Sequence, residues 1–273
     1  MTRVPPAQVA EPARSPLTFF ALVFVLSVAL LLLDRVIKLQ LAPKIPLLAL
    51  AFLCPVLAAA ILVYRERRWP AVLALLARSF QMRRSRAALW LAPALLLMPA
   101  VFLAAHWLRG LAGAEAPIPP YSALGTAGLF AFFLVAALGE ELGWMGYAID
   151  PLRARFGILG GTLVLGFVWA LWHVPALELT GPKPEWLAFW CLFTVTSRVL
   201  IVWIYDNAGR SVFAAALFHT SMNLSNVMLG DDVHPFWTAP IVAAIAAVIA
   251  AAWLLKRRAR LKQGEPPADR LHG

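Results

Sequence analysis

Runs of about 20 apolar residues, parted by short charged stretches, constrain this chain more than any other feature. A helix needs roughly that many residues to cross about 30 Å of hydrocarbon. Blocks of this length fall near 17–33, 45–64, 88–108, 122–148, 158–177, 185–205, 210–229 and 236–255. A soluble core has no need of so many spanning-length blocks. Of 273 residues, 62% are hydrophobic and 14% charged, where soluble domains run near 45–50% and about 25%. The expectation is an all-α polytopic membrane protein with about eight transmembrane helices in one bundle, held in the lipid bilayer. Its domain plan is an N-terminal tail over 1–15, a transmembrane domain over 16–256 and a basic tail over 257–273. The first block is followed by Asp34, Arg35 and Lys38 rather than by a cleavage site, so it reads as a retained helix.

A net charge of +10 raises nucleic acid as a partner. The placement of the charge excludes it, because the basic residues cluster at block ends as juxtamembrane charges do. The arginine-rich segment 65–86 and the tail with Lys256, Arg257, Arg258, Arg260 and Lys262 belong on the cytoplasmic side. Alternating eight spans from there puts both termini in the cytoplasm. The opposite loops carry Glu115, Glu178, Glu185, Asp231 and Asp232, although residues 34–44 bring Arg35, Lys38 and Lys44 to that side. Within the arginine-rich segment, the apolar stretch Val72 to Met82 is expected to lie along the membrane surface. Cys54 and Cys191 sit in apolar blocks and read as small core residues rather than as metal ligands or a disulfide.

Charged groups at mid-bilayer cost roughly 2.5–3.5 kcal/mol each, so those present are functional candidates. Span four holds Glu140 and Glu141, span five His173, span six Arg198, and span seven His219 and Asn223. His106, beside Trp107 and Arg109, reads as interfacial. His219 and Asn223 are four apart and share a helix face. Glu140 and Glu141 are about 100° apart and face different partners. Straight helices place Glu140 and His219 each roughly 13 Å from the inner end of their spans, and His173 roughly 22 Å.

Peptide hydrolysis needs an activated water, a proton for the leaving amine and donors for the oxyanion. Glu140 with His173 suits the first two tasks, and His219 with Asn223 suits the third; Glu141 supports the site. No His-Glu-x-x-His occurs. Two histidines and a glutamate are nevertheless a known zinc ligand set. Glu140, His173 and His219 are therefore the metal candidates, and a divalent metal such as zinc and a metal-free water remain open alternatives.

The stretch Glu-Glu-Leu-Gly-Trp-Met-Gly-Tyr from Glu140, Trp-Ala-Leu-Trp-His-Val-Pro from Trp169, and His219 with Asn223 resemble the CPBP family of intramembrane peptidases. That family, also called the Abi or type II CAAX prenyl endopeptidase family, is marked by Glu-Glu-x-x-x-Arg, Phe-x-x-x-His and His-x-x-x-Asn on separate membrane helices. The resemblance covers roughly residues 120–230. It implies an intramembrane endopeptidase acting on a peptide or protein, with Glu140, Glu141, His173, His219 and Asn223 as its site. It also implies a bacterial inner or plasma membrane, since the motif contexts look like the bacterial members. Trp169 stands where the family's Phe is common, and Met145 stands where the family has arginine. Without that arginine, Glu141 needs another cation, and Arg198 is the preferred partner. Met145 also motivates the alternative of a non-catalytic scaffold or pseudoenzyme.

Overall fold

The computed structural model describes residues 14–42, 45–81, 85–114, 118, 120–229 and 234–263. These are almost wholly helical, apart from a two-stranded antiparallel ribbon, β1 (Gln40–Ala42) and β2 (Ile45–Pro46). The helices are α1 (Pro16–Ile37), α2 (Leu53–Ala77), α3 (Leu91–Leu111), α4 (Ala123–Gly143), α5 (Ile149–Leu177), α6 (Pro184–Asn207), α7 (Val212–Leu229) and α8 (His234–Lys262).

Local chemistry sets several of the ends. Ser15 caps α1 by accepting the Thr18 N–H, and Ser122 caps α4 by accepting the Gly125 N–H. Proline opens α1 and α6, where a missing N–H costs nothing. The second apolar block does not start as an α-helix at 45. It enters through β2 and a 3₁₀ turn, Leu47–Phe52, whose Leu48 N–H is held by Asp34 at 3.0 Å. At the other end α8 runs on to Lys262, so the expected basic tail begins as helix.

Among the described residues, seven helical stretches are long and apolar enough to cross a membrane, and one of them, 123–180, is 58 residues long. A straight helix of that length would reach about 87 Å, nearly three bilayer cores. It is instead folded back at Gly157, whose backbone (φ 71°, ψ 174°) is essentially open only to glycine. A hydrogen bond between Trp169 and Glu140, 29 residues apart, demonstrates the reversal. A straight helix would separate those residues by about 43 Å. This stretch therefore supplies the two expected spans 122–148 and 158–177.

In the bundle α6 packs on α8 and α5, and α7 packs on α3 and α4. α7 is the most enclosed span, with 61% of its apolar window buried, against 17% for α1. Enclosure matters because polar side chains survive in a membrane only where protein surrounds them. α4 approaches α2 unusually closely. A methyl group on Gly139 would lie 2.8 Å from the Phe52 carbonyl oxygen, and one on Gly143 would lie 2.6 Å from the Pro55 backbone. Two glycines four apart permit this contact, and the Glu140–Glu141 pair lies between them.

Candidate functional site

Glu140 and Glu141 occupy the last turn of α4, just before a π-helical turn, Trp144–Ala148, that is buried throughout. Turns of this kind recur at functional sites. The two carboxylates diverge as the helical angle requires. Glu140 Oε2 accepts the indole N–H of Trp169 at 2.8 Å and that of Trp144 at 3.4 Å. Among the described residues, its other oxygen has no protein donor. Glu141 is wholly buried; its Oε2 accepts from Arg198 Nη1 at 2.7 Å, and its Oε1 meets His219 Nδ1 at 3.0 Å.

Arg198 thus supplies the cation that Met145 does not, reaching from α6 rather than from the next turn of α4. Its guanidinium carbon also sits 4.0 Å from the centre of the Trp169 ring, a face that attracts cations. A buried charge is tolerable only when it is paired and bonded; the pair neutralises both groups, and Glu141 satisfies Arg198 Nη1 while Nε and Nη2 have no hydrogen-bond partner among the described residues.

The two histidines are held by their Nδ1 atoms. His173 Nδ1 lies 2.8 Å from the Trp169 carbonyl. A carbonyl only accepts, so Nδ1 carries the proton and Nε2 is the basic nitrogen. Trp169, Trp172 and Trp190 pack edge-on around its ring at 4.6–5.4 Å. His219 Nδ1 faces the carboxylate of Glu141 and likewise donates, so Glu141 orients the ring.

Glu140, His173, His219 and Asn223 border one cavity of about 170 Å³, together with Trp169 and Asn226. Four of the five expected site residues are brought together there, from α4, α5 and α7. Glu141 lies behind them, reaching the cavity through His219. The depth mismatch expected for His173 disappears because the chain turns at Gly157 and not at the expected end of span four near 148; measured from that turn, Glu140 and His173 are 17 and 16 residues away. His173 also borders an apolar crevice of about 80 Å³ between α1 and α5. His106 stands apart, beside Arg109 and Trp237, and belongs to no part of the cavity.

Three participants escaped the sequence reading. The Trp144 and Trp169 indoles are donors to Glu140, and Asn226 extends the His219–Asn223 face by three residues. The spacing of Asn226 was the available signal; a tryptophan's donor shows only in space. Among the described residues, no three His, Cys, Asp or Glu side chains are placed to share a metal ion. In the candidate set Glu140, His173 and His219, the Nδ1 contacts of the two histidines leave Nε2 as the nitrogen of each that could meet a metal ion or a water. Cys54 and Cys191 are both free.

Residues 122–225 match the family model described as type II CAAX prenyl endopeptidase Rce1-like. A CAAX prenyl protease 2 from Methanococcus maripaludis is 29% identical over 126 residues, 42% of this chain and 46% of that protein. The chain therefore spans about half the length of the curated relative it matches.

Proposed function

We propose, on the premise that its core places this integral membrane chain in the type II CAAX prenyl endopeptidase (CPBP) family of proteases, that the chain is an intramembrane endopeptidase whose water is activated by Glu140 and His173. The observation that carries this reading is the single cavity into which α4, α5 and α7 bring Glu140, His173, His219 and Asn223.

The chemistry uses the chain's own groups. The ionised Glu140 takes a proton from water while His173 Nε2 accepts the second hydrogen and fixes the water's orientation. The hydroxide so formed attacks the peptide carbonyl carbon. The oxyanion is met by the Asn223 amide and by His219, whose ring Glu141 orients through Nδ1. Glu140 then returns its proton to the amine nitrogen, the C–N bond breaks, and a new carboxyl and a new amine leave. The indoles of Trp144 and Trp169 hold one Glu140 oxygen in place, leaving the other for water.

The alternative of a non-catalytic scaffold rests on Met145. Arg198 weakens that ground, because Glu141 has its guanidinium from another helix. By the positive-inside argument the termini lie in the cytoplasm, and the substrate is a peptide or protein approached at the membrane. The test is cleavage of a quenched fluorescent peptide library by the protein in liposomes. Wild type cleaves, and Glu140→Gln falls by at least about a hundredfold, the scale of one general base. A folded wild type that cleaves nothing, or a fully active Glu140→Gln, overturns the proposal.

A further inference from the structure

At the end of the bundle reached by Gly146, away from the glutamate cavity, three arginines meet with one carboxylate among the described residues. A second cavity, of about 380 Å³, is bordered by Arg14, Glu66, Arg67, Pro70, Arg78 and Gly146. Glu66 balances Arg14, and Arg78 adds a positive charge to the wall. Arg14 approaches Glu66 at 4.0 Å and lies over the Tyr147 ring at 5.2 Å. Arg78 is half-buried and gives Nη1 to the Gly146 carbonyl at 2.6 Å and Nη2 to the Tyr205 hydroxyl at 2.8 Å. Both acceptors are uncharged, and among the described residues no carboxylate lies within ion-pair distance of Arg78.

The helix that walls this cavity fixes its depth. α2 breaks at Arg68 (φ 63°, ψ −165°) and changes direction. Beyond the break, Trp69, Leu73, Leu76 and the following Phe80 are 64%, 63%, 41% and 79% exposed. Their spacing of four, three and four places them on one helix face. Val72, Leu75 and Ser79 are buried against the rest of the protein. A bare Trp, Leu and Phe face flanked by arginines lies at the boundary between headgroups and acyl chains, as the sequence of this segment predicts. The basic cavity beside it therefore opens at the level of lipid phosphates.

We propose that this cavity is a binding site for the phosphate of an anionic phospholipid of the phosphatidylglycerol class, with the acyl chains lying along the Trp69–Phe80 face. Basic pockets between membrane helices at the positively charged side of a bilayer recognise such headgroups. A choline headgroup is selected against, because it brings a cation beside Arg78, which has no carboxylate within ion-pair distance among the described residues. The bound phosphate would also meet Arg78, whose contact to Gly146 lies in the π-helical turn after the Glu140–Glu141 pair.

The test uses the full chain, purified and delipidated in a neutral detergent, with short-chain phosphatidylglycerol, short-chain phosphatidylcholine and inorganic phosphate as probes. Binding is read by native mass spectrometry and by the rise in melting temperature. Phosphatidylglycerol binds saturably and more tightly than phosphatidylcholine. Removing Arg14 and Arg67 by the paired change to Gln, which spares the Arg78 contacts, weakens it about fivefold for each charge lost. Arg257→Gln with Arg258→Gln, on α8, leaves it unchanged. Equal binding of the two lipids overturns the site, as does an unaltered affinity in the Arg14/Arg67 variant. Inorganic phosphate bound as tightly as the lipid overturns the lipid assignment.

Discussion

Glu141 and Arg198 are both wholly buried, and their 2.7 Å contact is what makes either one tolerable inside the bundle. Removing one member of such a pair leaves a lone charge and costs about 3–5 kcal/mol. Arg198→Met is expected to lower stability by that amount, measured by unfolding in mixed micelles. Adding Glu141→Gln to Arg198→Met should recover part of the loss, giving a coupling of at least about 1 kcal/mol in the double-mutant cycle. Additive losses would mean the pair does not act as a unit. This pairing was legible in the sequence, since Met145 leaves Glu141 without the motif's cation and Arg198 lies in mid-span with no acidic residue within a helical turn. So was the divergence of Glu140 from Glu141, which follows from the helical angle. The indole donors on Glu140 were not legible, because a tryptophan in an apolar block reads as bulk. Nor was the depth of His173, which depended on where the chain turns at Gly157.

Elements meet closely where their sequences allow it. α4 presents Gly139 and Gly143 to the backbone of Phe52 and Pro55, and this contact holds the Glu140–Glu141 turn against α2. Gly143→Ala would place a methyl 2.6 Å from the Pro55 backbone, where neither helix has a flexible side chain to yield. Overpacking of that kind costs typically 1–3 kcal/mol. Gly128→Ala, on the same helix with nothing within 4 Å, is the control and should be neutral or slightly stabilising. Equal melting temperatures for the two variants would contradict the close approach. The helices themselves were readable from length and hydropathy. The start of α2 was not, because a 3₁₀ turn of Leu, Ala and Phe has the same composition as the helix it precedes. The helix of the last span continues past its apolar block, to Lys262. Its last turns are basic rather than apolar, yet lysine and arginine are good helix formers.

At the scale of the whole molecule, the chain is a membrane bundle that gathers polar groups from α4, α5 and α7. Residues too costly to leave in hydrocarbon lie together around one cavity of about 170 Å³ rather than scattered among separate helix contacts. That convergence separates a built site from a set of isolated polar links, each worth only about 0.6 kcal/mol in a membrane. The most direct test of the central claim follows the water itself. Peptide cleavage by the protein in liposomes is run in water enriched in heavy oxygen, and the products are weighed by mass spectrometry. The account predicts one heavy oxygen in the new carboxyl terminus of each cleaved peptide in wild type, and loss of labelled product in Glu140→Gln. Product formed without the label, or labelled product at an undiminished rate in Glu140→Gln, would contradict a water activated at this carboxylate.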